Sequence, residues 1–269
     1  MNHERQWYAG RGIYQSEQGY RGLRNSFAGQ STTMTTLSNW PPTPHSEQVL
    51  SAAVDWALGH GLAFRPPDHS TTSAIHGPFA LYPTAFPRQS FEEACAIQTV
   101  YNRLYAQLAS DDDFLESVIG AQVAQVDAFQ GALWKIWQTV RREGLAQEMT
   151  LGLFRSDYLL HGQQIKQVEF NTISSSFGPL ASKVTELHRF LLQSRLYPQR
   201  PEVKLSQLPV NNALTELASG LAEAHKAYGV QEAVVLMVVQ EGERNIFDQK
   251  LLEWELLSMY VSLPVARIS

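Results

Sequence analysis

A carboxylate and a carboxamide two residues apart, followed at once by small hydroxylated residues, stand in Gln167-Val168-Glu169-Phe170-Asn171-Thr172-Ile173-Ser174-Ser175-Ser176-Phe177-Gly178. Read as a strand that ends in a turn, the segment puts Glu169, Asn171 and Ile173 on one face and Val168, Phe170 and Thr172 on the other. The second face suits a core. The first carries two hard oxygen donors about 7 Å apart, the two-residue rise of a strand. Donors of that kind suit Mg²⁺, which takes carboxylate and carbonyl oxygens together with phosphate. The hydroxyls and free backbone N–H groups of Ser174, Ser175 and Ser176 can cradle an anion.

These residues need elements to hold them. Two extended runs, 151–160 and 165–173, flank His161-Gly162-Gln163-Gln164 and predict an antiparallel hairpin. Arg155 and Glu169 are similarly far from that turn, so they are expected near-opposite across the pair, with the register left to the loop type. A helix over 181–194 and a linker over 198–209 follow. From Asn211 the pattern is α/β: a helix over 211–228 ending at Gly229, an apolar run over 234–239, a polar loop over 240–245, a helix over 246–259 and a strand over 263–268. The apolar run reads as a parallel strand buried on both faces. The loop after it falls where open α/β sheets bind ligands. Two parallel strands cannot cover both faces of a sheet, so an incomplete protein is expected.

Upstream the chain reads as helical. Ser46 offers a cap for a helix over 46–58, whose Val49, Ala53, Trp56 and Ala57 recur at the spacing of a buried face. Ser90 with Glu93 three residues on predicts a capping box, followed by a core stripe of Ala94, Ile97, Tyr101, Leu104 and Leu108. Asp111, Asp112 and Asp113 precede an apolar pair and read as a helix N-terminus rather than a metal cluster. Further helices run to Glu143, with Trp134 and Trp137 as packing residues. His60, His69 and His76 are irregularly spaced without a nearby cysteine, and read as solvated loop histidines rather than zinc ligands.

At 269 residues, 44% hydrophobic and 17% charged, the chain can bury a large core in one or two domains. A net charge of −5 gives no footprint for nucleic acid. The longest apolar run, 233–239, is far short of the ~18 residues that span a bilayer, so no membrane partner is expected. The single cysteine, Cys95, reads as core and excludes an internal disulfide, which points to a reducing, cytoplasmic compartment. Residues 1–33 are rich in Gln, Gly, Ser, Arg and Tyr and nearly devoid of aliphatics, and are expected to be a disordered extension. A transit peptide fits less well, since the segment has little apolar face. Residues 34–205 then form a helical and hairpin body, and 206–269 the start of an α/β substrate-binding domain. The fold class expected is mixed α/β.

The segments LGLFRSDYLL, VEFNTISSSFGPLAS and VVLMVVQEGERNIFDQKLLEWELL, in that order, resemble eukaryotic-type glutathione synthetase, an ATP-grasp ligase. ALYPTAFP and FEEACAIQTVYNRLYAQLASDDDFL upstream fit as well, and the resemblance runs roughly from Leu37 to the C-terminus. Three blocks in order are far more specific than one motif. No GxxxxGK[ST] or GxGxxG motif supports an unrelated nucleotide-binding fold.

The resemblance implies a homodimeric ligase that joins γ-glutamylcysteine to glycine using ATP and Mg²⁺. It makes Glu169 and Asn171 ligands to Mg²⁺ and on the nucleotide side. Arg155 becomes a substrate contact, its planar fork suited to a carboxylate, although a salt bridge to Asp157 or Glu169 would occupy it equally well. Ile173, Ser174, Ser175 and Ser176 match a loop lining the dipeptide pocket. Glu243, Arg244, Asn245 and Gln249 match a second substrate segment, in which Asn245 also reads as a helix N-cap. Gly242 stands where the family commonly has lysine. The resemblance covers only about the family's N-terminal half, and the larger part of the nucleotide site would lie beyond Ser269. An alternative reading is a non-catalytic form that binds substrate or pairs with a full-length subunit.

Overall fold

The computed structural model describes residues 8–9, 46–147, 149–197, 204–259 and 263–268. The extension expected over residues 1–33 lies outside these, apart from strand β1 (Tyr8–Ala9), which pairs in parallel with β4 (Gly152–Leu153). Half of the expected linker, residues 198–203, lies outside them too.

Helix α1 (Ser46–Gly59) turns the fully buried Val49, Ala53 and Ala57 inward. A short antiparallel pair follows, β2 (Ala63–Phe64) with β3 (Ile75–His76). Helix α2 (Arg88–Leu108) starts earlier than the Ser90 capping box predicts. Pro87 stands at its start with φ −59°, preset for helix entry, so Ser90 and Glu93 are interior. The Ser90 hydroxyl instead donates to the Gln163 carbonyl at 2.5 Å, tying α2 to the hairpin turn. The buried stripe is rotated as well. Ser90, Ala94 and Asn102 are buried, and Tyr101 and Tyr105 lie against Phe170 of the hairpin. Ile97 and Leu104, expected in the core, are exposed because that stripe takes the packing.

Helix α3 (Asp112–Leu115), a π-helical segment (Glu116–Val123), α4 (Ala124–Val126) and α5 (Ala128–Glu143) form the next unit. Asp111 caps α3 by accepting from the Phe114 N–H, as its place before the apolar pair predicts. Trp134 is buried and stacks on Trp137 at 4.4 Å.

The hairpin is strand β5 (Arg155–His161) with β6 (Gln164–Asn171). Its register places Arg155 opposite Asn171 and Asp157 opposite Glu169, so Arg155 and Glu169 are diagonal rather than directly opposite. The register then shifts, because Tyr158 pairs with Gln167 and leaves Val168 as an extra residue. Alternation up to the bulge turns Ser156, Tyr158 and Phe170 toward α2 and puts Arg155, Asp157, Glu169 and Asn171 on the other face; the bulge shifts the phase of residues 164–167 alone.

Helix α6 (Gly178–Gln193), a 3₁₀ turn (Leu205–Gln207), α7 (Ala213–Tyr228), β7 (Val235–Val238), α8 (Ile246–Met259) and β8 (Val265–Ile268) complete the order. β7 and β8 pair in parallel, as the α/β pattern predicts. One core joins α1, α6, α7 and α8 through Val49, Leu180, Leu187, Leu191, Leu214 and Leu251. A second holds Ala218, Ala222, Leu256 and Leu263 against the inner face of the strands. The expected burial of β7 on both faces is not met: Leu236 is 59% and Val238 76% exposed, since α7 and α8 pack on one side only. The mixed α/β class is the one expected. No helix among the described residues is long and apolar enough to cross a membrane.

A buried relay locks α6 to the loop before α2. The Tyr197 hydroxyl donates to the Leu81 carbonyl at 2.9 Å, and His188 Nδ1 lies 2.8 Å from the same hydroxyl. Burial holds His188 neutral and lowers its pKa from 6.5 to about 4. The unfolded chain therefore binds the extra proton first, and this stability is present above pH 6.5 and lost as pH falls toward 4. Urea unfolding should show a loss of about 2 kcal/mol between pH 7 and pH 5 from this group. The His188→Asn variant should lack that component.

Candidate functional site

The four side chains on the open face of the hairpin form one network. Arg155 donates from Nε to Asp157 Oδ1 at 2.8 Å and from Nη2 to Asp157 Oδ2 at 3.0 Å. Its Nη1 reaches the Ser176 carbonyl at 3.3 Å. The Asn171 amide is oriented by its neighbours: its oxygen accepts from Arg155 Nη2 at 3.0 Å and its nitrogen donates to Glu169 Oε1 at 2.7 Å. The reverse orientation would set oxygen against carboxylate. The salt bridge expected as the alternative role for Arg155 is thus present, with Asp157 as partner. Both side chains are largely shielded, so their attraction is less screened than at the surface.

The turn after β6 is shaped by its own hydroxyls. Ser175 Oγ donates to the Asn171 carbonyl at 3.2 Å and Ser176 Oγ to the Ser174 carbonyl at 3.1 Å. Ser174 and Phe177 adopt φ +51° and +71°, left-handed values that cost energy in residues bearing a Cβ. Ile173 is 83% exposed, an apolar side chain offered to the solvent side of the turn.

What holds that turn in place is Asp248, a residue the sequence reading passed over. Its Oδ2 accepts from the Phe177 N–H at 2.8 Å and its Oδ1 from the Leu180 N–H at 3.0 Å. A carboxylate on α8 thereby caps the first turn of α6, a helix whose own leading residue, Phe177, has no capping side chain. Asp248 is 5% exposed, and its pKa is raised by burial, opposed by these N–H bonds and one from the Asn245 side chain. A signal for it did exist. Asp248 falls i, i+3 and i+8 with Leu251 and Leu256, on the buried stripe of α8, where a carboxylate requires a partner. From sequence, Asp157 reads only as an alternative partner for Arg155.

Glu243, Arg244 and Asn245 lead into α8. Glu243 Oε1 accepts from the Asn245 N–H at 2.7 Å. Asn245 Oδ1 is buried without a partner, so its predicted capping role is not taken up. Gln249 lies on the far side of this group, with its Oε1 accepting from Arg267 of β8. The structure therefore gathers Arg155, Glu169, Asn171 and Ser176 in one network and 243–245 in another, with Asp248 as the bridge. Gln249 is turned toward the β7–β8 sheet.

For a divalent ion, Glu169 and Asn171 offer adjacent hard oxygens, and Glu169 is exposed. Asn171 would have to turn its amide away from Arg155. Mg²⁺ binds through one or two carboxylates and keeps water or phosphate in its other positions, so this sparse donor set fits. Among the described residues no three His, Cys, Asp or Glu side chains cluster for a metal.

Removing the bridge should be costly. In Asp248→Ala two buried N–H groups lose their acceptor, and unfolding should show a loss of about 2–4 kcal/mol. Asp248→Asn keeps one acceptor and should lose less. Equal stability of Asp248→Ala and the parent in urea would refute the bridge.

The family model described as eukaryotic glutathione synthase, ATP binding domain, matches residues 44–262. The chain is 39% identical over 219 residues to the glutathione synthetase of Homo sapiens, covering 79% of this chain and 45% of that protein. It is 37% identical over 218 residues to that of Mus musculus, at 78% and 45%. With the glutathione synthetase large chain of Schizosaccharomyces pombe it is 35% identical over 242 residues, at 80% and 48%. The chain thus spans about half the length of these relatives. Among solved structures, a glutathione synthetase-like effector from Globodera pallida, in apo form, aligns with a TM-score of 0.67 and 24% identity. That alignment covers 87% of this chain and 52% of the other, and it shows the fold alone.

Proposed function

Because this chain belongs to the eukaryotic glutathione synthase family, we propose that it carries the dipeptide side of an ATP-dependent ligase joining γ-glutamylcysteine to glycine. In that reaction the cysteinyl carboxylate takes the γ-phosphoryl group of ATP, releasing ADP. The glycine amine then attacks the acyl carbon, a peptide bond forms and inorganic phosphate leaves. A carboxylate is a poor acyl donor until so activated, and the reaction depends on positioning and on charge neutralisation.

The observation that carries this reading is the Asp248 bridge. It brings the turn of Ile173, Ser174, Ser175 and Ser176 to the segment of Glu243, Arg244 and Asn245, stretches about 70 residues apart in sequence that the family resemblance assigns to one substrate, while Gln249, assigned with them, faces Arg267 instead. The buried, unpartnered Asn245 Oδ1 is an acceptor suited to the ammonium group of the dipeptide, with the Glu243 carboxylate two residues away. Arg155 supplies a guanidinium for a carboxylate, provided the ligand displaces Asp157. Glu169 and Asn171 would hold Mg²⁺, which when bound supplies neutralising charge to the phosphate oxygens. The description of the matching family model supports ATP as co-substrate. A homodimer in the cytoplasm completes the proposal, on the family resemblance and the lone cysteine.

The chain alone, at about half the length of its relatives, is proposed to bind dipeptide without turnover. Titration of γ-glutamylcysteine into the 269-residue chain should give heat, and Arg155→Ala should weaken binding about 10- to 100-fold through loss of charged hydrogen bonds. Absence of heat in the parent chain would remove the dipeptide site from it. Glutathione formed by the chain alone with ATP, Mg²⁺ and glycine would overturn the division of labour.

A further inference from the structure

Residues 243–245 form a polar turn before α8, reached through Gly242 at φ +67°. Nothing in the turn itself explains its fixed shape beyond one hydrogen bond, from the Asn245 N–H to Glu243. The restraint comes from about 180 residues upstream. The Arg65 N–H donates to the Arg244 carbonyl at 2.9 Å, and the Arg65 carbonyl accepts from Arg244 Nε at 3.2 Å. The main chain of residue 65 is thus clasped to Arg244 through both its N–H and its carbonyl.

The Arg65 guanidinium is itself placed with care. Its Nη1 donates to the carbonyls of Thr71 at 2.8 Å and Ser73 at 3.1 Å, which pulls the loop between β2 and β3 over the arginine. Its Cζ lies 5.3 Å from the centroid of Phe247, a cation–π contact with the first turn of α8. Among the described residues no carboxylate lies within salt-bridge distance of it. The same loop carries His69, at φ +58°, whose ring nitrogen would stand 3.4 Å from a Cβ at Gly242. That proximity also bears on the glycine found where the family commonly has lysine. In this chain the 65–74 loop closes down on the backbone at that point, and a long side chain there would have to be threaded past the imidazole.

We propose that Arg65 is a positioning residue for the substrate turn of Glu243, Arg244 and Asn245: its guanidinium, held on the Thr71 and Ser73 carbonyls and against Phe247, keeps the main chain of residue 65 where it clasps residue 244. Its role is to hold the turn, without contact to a reacting atom. The inference rests on reading 243–245 as a dipeptide contact, but its structural half can be examined without ligand.

The experiment uses the full 269-residue chain with Arg65→Ala, Arg65→Lys and Phe247→Leu. Hydrogen exchange without ligand should be at least fivefold faster at the amides of 243–247 in Arg65→Ala, with the α1 and α6 core amides unchanged. Arg65→Lys keeps a cation for the ring and should recover part of the protection. Phe247→Leu should show a smaller rise, and it serves if Arg65→Ala fails to fold. Titration with γ-glutamylcysteine should then show about tenfold weaker binding for Arg65→Ala and partial rescue in Arg65→Lys. Unchanged exchange at 243–247, or acceleration spread evenly over the chain, would overturn the positioning role. Unchanged affinity despite faster exchange would overturn its link to the dipeptide. If the parent chain gives no heat while exchange responds locally, the dipeptide reading fails and the positioning of the turn stands.

Discussion

One buried carboxylate organises the molecule. A helix start leaves unpaired N–H groups, and α6 begins at Phe177 in a left-handed conformation with no capping side chain of its own. Asp248 reaches over from α8 and satisfies two of those donors. Leaving such a carboxylate inside the protein is costly unless it is hydrogen-bonded, and its raised pKa reflects that cost. The contact therefore constrains both sides: α6 cannot start elsewhere without orphaning Asp248, and α8 cannot rotate without uncapping α6. The core of Leu180, Leu187, Leu214 and Leu251 packs around the junction.

The hairpin carries a second device, the bulge at Val168. Without the extra residue, strict alternation would leave the pairs on either side of it in one phase. With it, Gln167 rather than Val168 stands opposite Tyr158; alternation outside the bulge already collects Arg155, Asp157, Glu169 and Asn171 on one side and turns Tyr158 and Phe170 toward α2. Charge balance on that side is local. Two carboxylates flank one guanidinium, and the Asn171 amide takes its orientation from the difference between them.

Much of this was legible in sequence. The hairpin, the helix ending at Gly229 and the parallel strands follow from spacing and turn residues, and the family from three ordered blocks. What stayed hidden shares a physical cause. The bulge is invisible because Val168 suits either phase of a strand. The start of α2 was misplaced because Ser90 looks like a cap, while Pro87 sets the entry and Ser90 bonds across to Gln163. The exposure of Leu236 and Val238 was missed because an apolar strand announces burial without saying which face is covered. Long-range side-chain contacts, Asp248 to α6 and Arg65 to Arg244, have no local signature beyond a charge on an apolar stripe. The roles of the site residues came from resemblance, and the geometry adds the partners each one has.

The clasp between Arg155 and Asp157 has a consequence for selectivity. The chain already contains a carboxylate seated on the fork that an incoming carboxylate would use. Under the proposed substrate role, occupancy of Arg155 would be an exchange of one anion for another, and net affinity the difference between two similar contacts. A neutral or amidated ligand offers nothing to exchange and leaves the internal pair intact. With Arg155 in its proposed role, discrimination against such ligands would be set by Asp157 as much as by Arg155, a penalty on the wrong ligand rather than a reward for the right one.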